Sequence, residues 1–473
     1  MKNLTILAAF ISLMVSCTPK ISEFRSSTES EKWVNSLSNQ IVEKSLDGIE
    51  ISISSENTSQ VIDGFGACFN EMGWTSLALL SEEKRQDVMN ELFSPGYGAN
   101  FTICRMPLGA NDFSEDWYSY NETDGDFQMK NFSIENDQKT LIPFIKAAKS
   151  FNSQLKIWAS PWCPPSWMKY NKHYASMDNL YAPKEFQNGL APENRGYEGT
   201  DMFIQEPEYL AAYAKYFQLF IQAYDKEGID IYGVMPQNEF NSSQVFPSCC
   251  WTAKGLTTFI GDYLGKAMAE EDVEVIFGTM ERANHLLVDS VLVDSRASQY
   301  IKGVGFQWAG KGAIAAVRAA HPDMKLLQTE QECGDGKNDW KGTVYSWDLL
   351  KHYLDNGVSI YNYWNISLKE GGISRWGWRQ NSLVVVNTET KEYNFTNEYY
   401  LMKHISHYVE PGAYYLNIDE NSEDVLAFKN PDKSIIVIAF NKTSEDKPIK
   451  LNIDGNSYSV SLAANSINTL KIK

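Results

Sequence analysis

The sequence predicts an α/β protein that folds as a (β/α)8 TIM barrel with a small antiparallel β side domain. From about Gly64, short β-branched or aromatic runs alternate with longer segments of helical spacing, which is typical of parallel strands covered by helices. Beyond Gly412, short alternating runs are separated by Asn, Asp, Lys and Gly, which is typical of antiparallel strands. A chain of 473 residues is long enough for a barrel of ordinary size and one smaller domain.

The beginning of the chain predicts export and anchoring. One Lys, an apolar run and a small residue precede Cys17, which is typical of a bacterial lipoprotein signal, with a plain cleaved signal as the alternative. On the lipoprotein hypothesis, residues 1–17 are the signal peptide, Cys17 carries the lipid anchor and residues 18–39 are a tether. We expect such a protein to be exported and anchored to the cell envelope, in the outer membrane of a Gram-negative bacterium.

The remaining segments are assigned to the two domains in order. Residues 40–63 read as strands that join the side domain, residues 64–410 as the barrel and residues 411–473 as a C-terminal β-sandwich side domain. Between the barrel strands, apolar residues recur at helical spacing, as at Leu210, Tyr213 and Phe217, which predicts an outer ring of helices. The eight barrel strands are predicted at residues 64–69, 101–107, 155–162, 232–239, 274–280, 303–308, 325–331 and 359–365.

Composition narrows the class of substrate. A formal net charge of -18 argues against nucleic acid or an acidic lipid surface as the ligand, because phosphate binding needs concentrated Lys and Arg. Aromatic residues make up 13% of the chain, which suits stacking on sugar rings, although core packing is the common role of aromatics. No CxxC motif and no Cys/His spacing indicates a zinc site, so we expect no metal and no cofactor. Cysteine pairing is left open.

Two carboxylates end predicted barrel strands. Glu239 follows the apolar run of strand four, and Glu330 ends strand seven. Because barrel enzymes carry their chemistry at the carboxyl ends of the strands, we expect both side chains at one mouth of the barrel. Glycoside hydrolysis needs such a pair, one as acid and one facing the oxocarbenium-like centre. Two structural ion pairs with Arg are the alternative, and Glu332, on the same predicted strand face, is the rival to Glu330.

Several segments in a fixed order resemble one enzyme family. They are GFGACFNEMGW, ICRMPLGANDFS, IWASPWCPPSWMK, MPQNE, LLQTEQECGDG and YNYWN, and they extend over nearly the whole mature chain. Together they resemble glycoside hydrolase family 30, the family of glucosylceramidases and microbial β-1,6-glucanases. The resemblance implies a (β/α)8 barrel with a side β domain, as the strand pattern also predicts.

The resemblance also implies roles for individual residues. It makes Glu239 the acid/base and Glu330, which follows a Thr, the nucleophile. Asn238 resembles the residue that hydrogen-bonds the sugar 2-hydroxyl, with a turn or cap as the alternative. Arg105 is expected beside the nucleophile, where a guanidinium lowers the pKa of a carboxyl group, and a structural ion pair is its alternative.

Further substrate-binding residues are expected around this pair. Asp112 would accept hydrogen bonds from sugar hydroxyls, with a helix N-cap as the alternative. Trp162 and Trp364 end strands three and eight and resemble residues that line a glucose pocket, with core packing as the alternative. The chain departs from the glucosylceramidases at strand six, where Gln307, Trp308 and Ala309 replace His-Trp-Tyr; Trp308 can still stack on sugar. Loops with four further aromatics are expected to extend a cleft: Trp117, Tyr118, Trp376 and Trp378.

These observations predict an anchored, monomeric, retaining endo-β-1,6-glucanase that acts on β-glucan polysaccharide or oligosaccharide. The alternatives within enzymes are an exo-acting β-glucosidase or glucosylceramidase-like hydrolase and, further off, a β-xylosidase or xylanase; pocket or cleft shape separates exo from endo action. A non-catalytic surface glycan-binding lipoprotein is the alternative of another class, and it would bind glycan without releasing reducing sugar. A metal-dependent hydrolase is the remaining option.

Overall fold

The computed structural model describes residues 20–37, 48–418 and 424–473. The predicted signal peptide and Cys17 lie outside these ranges. The first described strands are β1 (Ile21–Ser27), β2 (Val34–Asn35) and β3 (Ile49–Val61). None of the helices in the described ranges is long and apolar enough to cross a membrane.

Eight parallel strands close into a barrel and follow one another around it in chain order. They are β4 (Gly64–Cys68), β5 (Ile103–Pro107), β6 (Lys156–Ser160), β7 (Ile231–Val234), β8 (Glu274–Met280), β9 (Ile301–Gln307), β10 (Lys325–Glu330) and β11 (Val358–Asn365). Each overlaps one of the eight strands expected from the sequence, so the predicted fold class is confirmed. A cluster of buried side chains fills the barrel interior: Ile103, Trp158, Met235, Ile276, Leu327 and Ile360.

Helices cover the outside of the barrel. The longest, Pro207–Lys226, begins with Pro in its first turn, where the missing amide hydrogen is harmless, and buries Leu210, Tyr213 and Phe217. The α-helices are α1 (Glu71–Leu77), α2 (Glu82–Phe93), α3 (Leu141–Phe151), α4 (Pro207–Lys226), α5 (Ala253–Phe259), α6 (Gly265–Glu270), α7 (His285–Leu292), α8 (Ser295–Ser298), α9 (Ile314–Ala320), α10 (Trp340–Asp355) and α11 (Asn397–Ser406). A short π-helix, Ile260–Leu264, joins α5 to α6. Short 3-10 helices lie at Asp137–Lys139, Ser166–Met168, Lys184–Phe186, Pro192–Asn194 and Trp308–Ala313.

After the barrel, the chain adds two further sheets. A small three-stranded sheet contains β12 (Ser367–Lys369), β13 (Val384–Val386) and β14 (Tyr393–Phe395). The strands of the side domain are β15 (Tyr414–Ile418), β16 (Val425–Lys429), β17 (Ile435–Asn441), β18 (Lys447–Ile453), β19 (Asn456–Leu462) and β20 (Ser466–Ile472). With the N-terminal strands they form one nine-stranded sheet in the order β19-β18-β3-β15-β16-β17-β20-β1-β2. Strand β3 pairs with β15 and β18, so residues 49–61 do join the side domain.

The structure corrects the predicted tether at residues 18–39. Strand β1 pairs antiparallel with β20 along its whole length, and Phe24 is fully buried in the core of the side domain. The sequence misled because five of the seven residues of this strand are polar or charged, with Ile21 and Phe24 as its apolar side chains, so the segment resembles a linker. The described part of this segment is therefore an integral strand of the side sheet.

All six cysteines within the described ranges are buried and unpaired. They are Cys68, Cys104, Cys163, Cys249, Cys250 and Cys333. Burial raises the pKa of each of these thiols, which disfavours the reactive thiolate.

Candidate active site

A cavity of about 410 Å³ opens at the carboxyl ends of the barrel strands. Its wall is built from the ends of seven strands or from the loops that follow them. Five of the predicted site residues line it: Asp112, Trp162, Glu239, Trp308 and Glu330. The other three, Arg105, Asn238 and Trp364, are buried against this wall.

Glu330, the last residue of β10, is held by donors on both oxygens. Its Oε2 accepts from Arg105 Nη1 at 2.9 Å and from Gln307 Nε2 at 3.3 Å, and its Oε1 accepts from Trp308 Nε1 at 2.8 Å. Burial raises the pKa of this carboxyl group, whereas the charge of Arg105 and these hydrogen bonds lower it. The donors therefore favour the ionised form against the effect of burial.

Arg105 on β5 is fully buried and connects several parts of the site. Besides Glu330, it donates to Ser160 Oγ, to the carbonyl oxygen of Thr329 and, at 2.6 Å, to Asn238 Oδ1. Its guanidinium carbon also lies 4.3 Å from the ring centre of Trp162. One side chain thus fixes the carboxylate, an amide and an aromatic wall relative to one another.

Glu239 lies five residues beyond the end of β7, and not on the strand as predicted. Its segment is anchored by backbone hydrogen bonds from Asn238 to Pro161 and from Glu239 to the Thr279 hydroxyl. The φ angle of Glu239 is 48°, in the left-handed region that non-glycine residues rarely adopt. Such strained conformations are found preferentially at functional sites, where the surroundings impose them.

The surroundings of the Glu239 carboxyl group differ from those of Glu330. Its Oε1 accepts from Gln307 Nε2 and its Oε2 from Gln244 Nε2, each at 3.0 Å, so both donors are neutral amides. Burial raises the pKa of Glu239 well above its usual range, and the charges of Glu330 and Glu281 raise it further. Two carboxyl groups in unlike surroundings at one cavity suit an acid and a base.

Gln307 bridges the two carboxyl groups. Its amide nitrogen lies 3.0 Å from Glu239 Oε1 and 3.3 Å from Glu330 Oε2, so these oxygens are no further apart than the sum of the two distances. Its carbonyl oxygen accepts from the Thr329 hydroxyl at 2.9 Å, which fixes the orientation of the amide. The sequence singled out this position only as a departure from the glucosylceramidase pattern, and its bridging contacts are a finding of the structure.

Asn238 presents its amide oxygen to the interior of the site. This oxygen accepts from Arg105, from Gln307 Nε2 at 3.2 Å and from the Thr279 hydroxyl at 3.2 Å. Asn238 lies at the start of a turn, but its side-chain oxygen bonds residues of three other strands or loops and not the backbone of that turn. Three donors on the oxygen hold Asn238 in one orientation beside Glu239.

Asp112 and Trp162 line the cavity, and Trp364 packs against Trp162. Asp112 Oδ1 is buried and has no hydrogen-bond partner among the described residues, which makes it an available acceptor. Burial and the charge of Glu330 raise the pKa of this carboxyl group well above its usual range. Trp162 lines the cavity, but Trp364 is fully buried and stacks on Trp162 at 5.5 Å between ring centres. Trp364 therefore supports the wall and does not line the pocket as predicted, because Trp162 covers it.

Trp308 lines the cavity and contacts Glu330, whereas Glu332, the rival to Glu330, does not line it. Trp308 directs its indole nitrogen at Glu330, and its φ angle of 47° again lies in the left-handed region. Glu332 lies beyond the end of β10, so it does not share a strand face with Glu330 as predicted. It bonds to Lys311 at 2.5 Å and to the Tyr345 hydroxyl at 2.6 Å and does not line the cavity.

The sequence did not point to most of the loop residues around the cavity. Trp378 was expected in a cleft and does line the cavity, whereas Trp376 lies buried behind it. Apart from Gly334, which belongs to the LLQTEQECGDG segment, no motif marked the remaining residues, because each belongs to an irregular loop whose position depends on packing. They are Gln244, Val245, Phe246, Glu281, Gly334, Arg379 and Gln380.

Comparisons with known proteins agree with this architecture. The profile of the glycosyl hydrolase family 30 TIM-barrel domain matches residues 62–187 and 193–409, and that of the family 30 beta sandwich domain matches residues 412–470. Putative glucosylceramidase 1 of Caenorhabditis elegans is 29% identical over 422 residues, covering 84% of this chain and 76% of its own.

Two further relatives carry another activity in their names. Endo-1,6-beta-D-glucanase neg1 of Aspergillus fumigatus is 26% identical over 443 residues, covering 89% of this chain and 87% of its own. The solved structure of the endo-beta1,6-glucanase BT3312 superposes with a TM-score of 0.77 at 23% identity, covering 95% of this chain and 99% of its own. At that identity the superposition shows a shared fold alone.

Proposed function

The chain belongs to glycosyl hydrolase family 30, and from this premise we propose that it is a retaining endo-β-1,6-glucanase in which Glu330 is the nucleophile and Glu239 the acid/base. The observation that carries the roles is the unequal set of donors on the two carboxyl groups. Glu330 accepts from a guanidinium, and Glu239 accepts only from amides. A shared proton therefore resides on Glu239.

Two displacements at the anomeric carbon follow from this arrangement. In the first, a Glu330 oxygen forms a bond to the anomeric carbon while the glycosidic C–O bond breaks, and Glu239 gives its proton to the departing oxygen. In the second, Glu239, now a carboxylate, takes a proton from water, whose oxygen displaces Glu330. Two inversions give net retention of the β configuration.

The separation of the carboxyl groups supports retention. Retaining enzymes place the two groups about 5–5.5 Å apart, and inverting enzymes need roughly 6.5–9.5 Å to admit a water molecule. Here one amide nitrogen hydrogen-bonds an oxygen of each group, at 3.0 and 3.3 Å. That single bridge favours the shorter separation.

The remaining site residues fit binding of a neutral sugar. Asp112 Oδ1 has no hydrogen-bond partner among the described residues and is available to a hydroxyl group, and Trp162 lines the cavity beside it. The net charge of -18 disfavours an anionic substrate. The choice of β-1,6-glucan rests on the names of relatives such as neg1 and BT3312. The glucosylceramidase names of other relatives make an exo-acting, glucosylceramidase-like hydrolase the second candidate.

The test is sugar release from linear β-1,6-glucan by the wild type, Glu239→Gln and Glu330→Gln, with Glu332→Gln as the matched control. We expect mixed oligosaccharides from the wild type, nearly complete loss in the first two variants and retained activity in the control. The anomer that forms first, followed by NMR, should be β. Release of glucose alone would favour exo action, an intact polymer would exclude this substrate, and an active Glu330→Gln would exclude the proposed nucleophile.

We further propose that the protein is a lipoprotein anchored through Cys17 in the outer membrane. The proposal rests on the sequence pattern before Cys17, which lies outside the described residues. Labelled palmitate should be incorporated by the wild type and not by Cys17→Ser, and the variant should leave the membrane fraction. A Cys17→Ser protein that stays in the outer membrane would contradict the anchor.

A further inference from the structure

The cavity is lined by a further group of residues besides the two carboxyl groups and their hydrogen-bond donors. These are Val245, Phe246 and Trp378, and they are called the second wall. Glu239 directs Oε1 towards Gln307 and the Arg105 side of the site, and Oε2 towards Gln244. Gln244 belongs to the loop after β7, and the next two residues of that loop, Val245 and Phe246, also line the cavity. The Glu239 carboxyl group thus contacts Gln307 with one oxygen and the loop that carries Phe246 with the other.

An aromatic pair forms this second wall. The rings of Phe246 and Trp378 are 5.3 Å apart between centres and inclined by 59°. Both side chains are half-buried, with part of each ring open to the cavity. Trp378 stacks on buried Trp376, and Trp376 lies 4.8 Å from Trp117, so a row of rings supports the pair from behind.

The loops that carry the pair are braced by the rest of the protein. The Val245 carbonyl oxygen accepts from Asn188 Nδ2 at 2.8 Å, and the Trp378 carbonyl oxygen accepts from the Ser374 amide at 2.8 Å. Gly377 has a φ angle of 97°, and the ring of Phe186 lies where its Cβ would be. The wall is therefore preformed, which lowers the entropy that a ligand must lose on binding.

We propose that Phe246 and Trp378 form the subsite for the sugar that leaves, with the pyranose packed on their rings. The inference rests on the proposed function, because it needs Glu239 as the acid. An acid must lie within hydrogen-bond reach of the oxygen that it protonates, so the departing sugar lies beside Glu239. Glu239 Oε2 contacts Gln244, which belongs to the same loop as Phe246. Aromatic rings there match the C–H face of a neutral sugar.

Polar side chains complete the subsite for a hydroxyl-rich ligand. Gln244 Nε2 donates to Glu239 Oε2 at 3.0 Å and to the Ser242 hydroxyl at 2.6 Å. These two hydrogen bonds fix the Gln244 amide beside the acid. Arg379, exposed at the rim, donates to the carbonyl oxygen of Gly371 and lines the cavity. A subsite of this kind fits a second neutral pyranose of the same chain, which is what an endo-acting enzyme must bind beyond the scissile bond.

A subsite for the leaving group affects only reactions in which the leaving group is a sugar. The test therefore compares two probes on Phe246→Ala and Trp378→Ala: hydrolysis of a β-1,6-linked glucose tetrasaccharide, and trapping by 2-deoxy-2-fluoro-β-glucosyl fluoride followed by mass spectrometry. In this reagent the leaving group is fluoride and not a sugar, so its departure does not depend on contacts with Phe246 and Trp378. Tyr181→Ala removes a fully exposed aromatic and is the matched control, and Trp378→Tyr keeps an aromatic face.

We expect kcat/KM on the tetrasaccharide to fall on the order of 10- to 100-fold in both alanine variants, as when a stacking aromatic is removed. The trapping rate should stay within about twofold of the wild type, which also shows that the variant is folded. Trp378→Tyr should recover much of the loss, and Tyr181→Ala should match the wild type.

Two results would overturn the subsite. Unchanged hydrolysis by both alanine variants would show that the leaving sugar binds elsewhere, and an equal loss on both probes would show that the rings support the whole site. Failure of the proposed function looks different. A wild type that neither hydrolyses the tetrasaccharide nor is labelled by the fluoride excludes a retaining glucosidase before any variant is compared.

Discussion

Arg105 Nη1 donates to Glu330 Oε2 at 2.9 Å, and the two side chains are 0% and 5% exposed. A charge-assisted hydrogen bond between buried groups is strong and directional. It also makes each group dependent on the other, because removal of one partner leaves an uncompensated charge in the interior.

Replacing Arg105 by Met should therefore weaken both the fold and the activity. Loss of one partner of a buried pair costs about 3–5 kcal/mol of unfolding free energy. Without the guanidinium, the pKa of Glu330 rises, so the acid limb of the kcat/KM profile should move to higher pH. Arg296→Met is the matched control, because Arg296 pairs with Asp262 and Asp294 at the surface. An acid limb at its wild-type position would contradict the role of Arg105.

Replacing Trp308 by Phe removes the indole donor and keeps one aromatic ring. A hydrogen bond to a charged group contributes about 1.5–3 kcal/mol, so kcat should fall on the order of 10- to 100-fold. The acid limb should also move to slightly higher pH, because this donor lowers the pKa of Glu330. Trp340→Phe is the control, since the buried Trp340 Nε1 has no hydrogen-bond partner in the described chain. If both variants lose activity equally, ring size and not the donor is responsible.

Replacing Glu281 by Gln should move the opposite limb of the pH profile. The charge of Glu281 raises the pKa of Glu239, which must be protonated for the first step. Removing that charge lowers the pKa of Glu239, so the basic limb of kcat/KM should move to lower pH while the acid limb stays. Glu198→Gln is the matched control, because Glu198 pairs with the same Arg282 but does not line the cavity. A profile unchanged by Glu281→Gln would show that this charge is screened.

We expect His404 to make the contact between barrel and side domain sensitive to acid. It hydrogen-bonds Thr469 of β20 and Ser27 of β1, each at 2.9 Å, and burial lowers its pKa to about 3. Because the unfolded chain binds this proton near pH 6.5, the stability from neutral His404 is complete above that pH and is lost as the pH falls towards 3.

The variant His404→Gln keeps hydrogen-bonding groups and removes the titration. Between about pH 7 and pH 4.5, its Tm should fall less than that of the wild type. His321→Gln, on a half-buried His bonded to Asp289, should follow the wild type. Parallel curves for all three proteins would rule out His404 as the source of acid sensitivity.

The sequence predicted the barrel because its information is local. The barrel strands are short and largely apolar runs, and four of the eight end at a polar residue, as β10 does at Glu330. The helices repeat apolar residues at helical spacing, as Leu210, Tyr213 and Phe217 do in α4. Strand β1 escaped prediction because its partner β20 is more than 400 residues away in the chain, and five of its seven side chains are polar or charged. Long-range pairing leaves little trace in a local pattern.

The sequence by itself determined which carboxylates arrive at the mouth of the barrel, since the alternation of strands and helices delivers Glu239 and Glu330 to the same end. Only the tertiary structure decided how they differ. The Arg105 guanidinium comes from β5 and the Trp308 indole from beyond β9, and they converge on Glu330, while Glu239 receives neutral amides from Gln307 and Gln244. The pKa of a buried carboxyl group depends on burial and on donors within a few ångströms, and closure of the barrel alone brings those donors together.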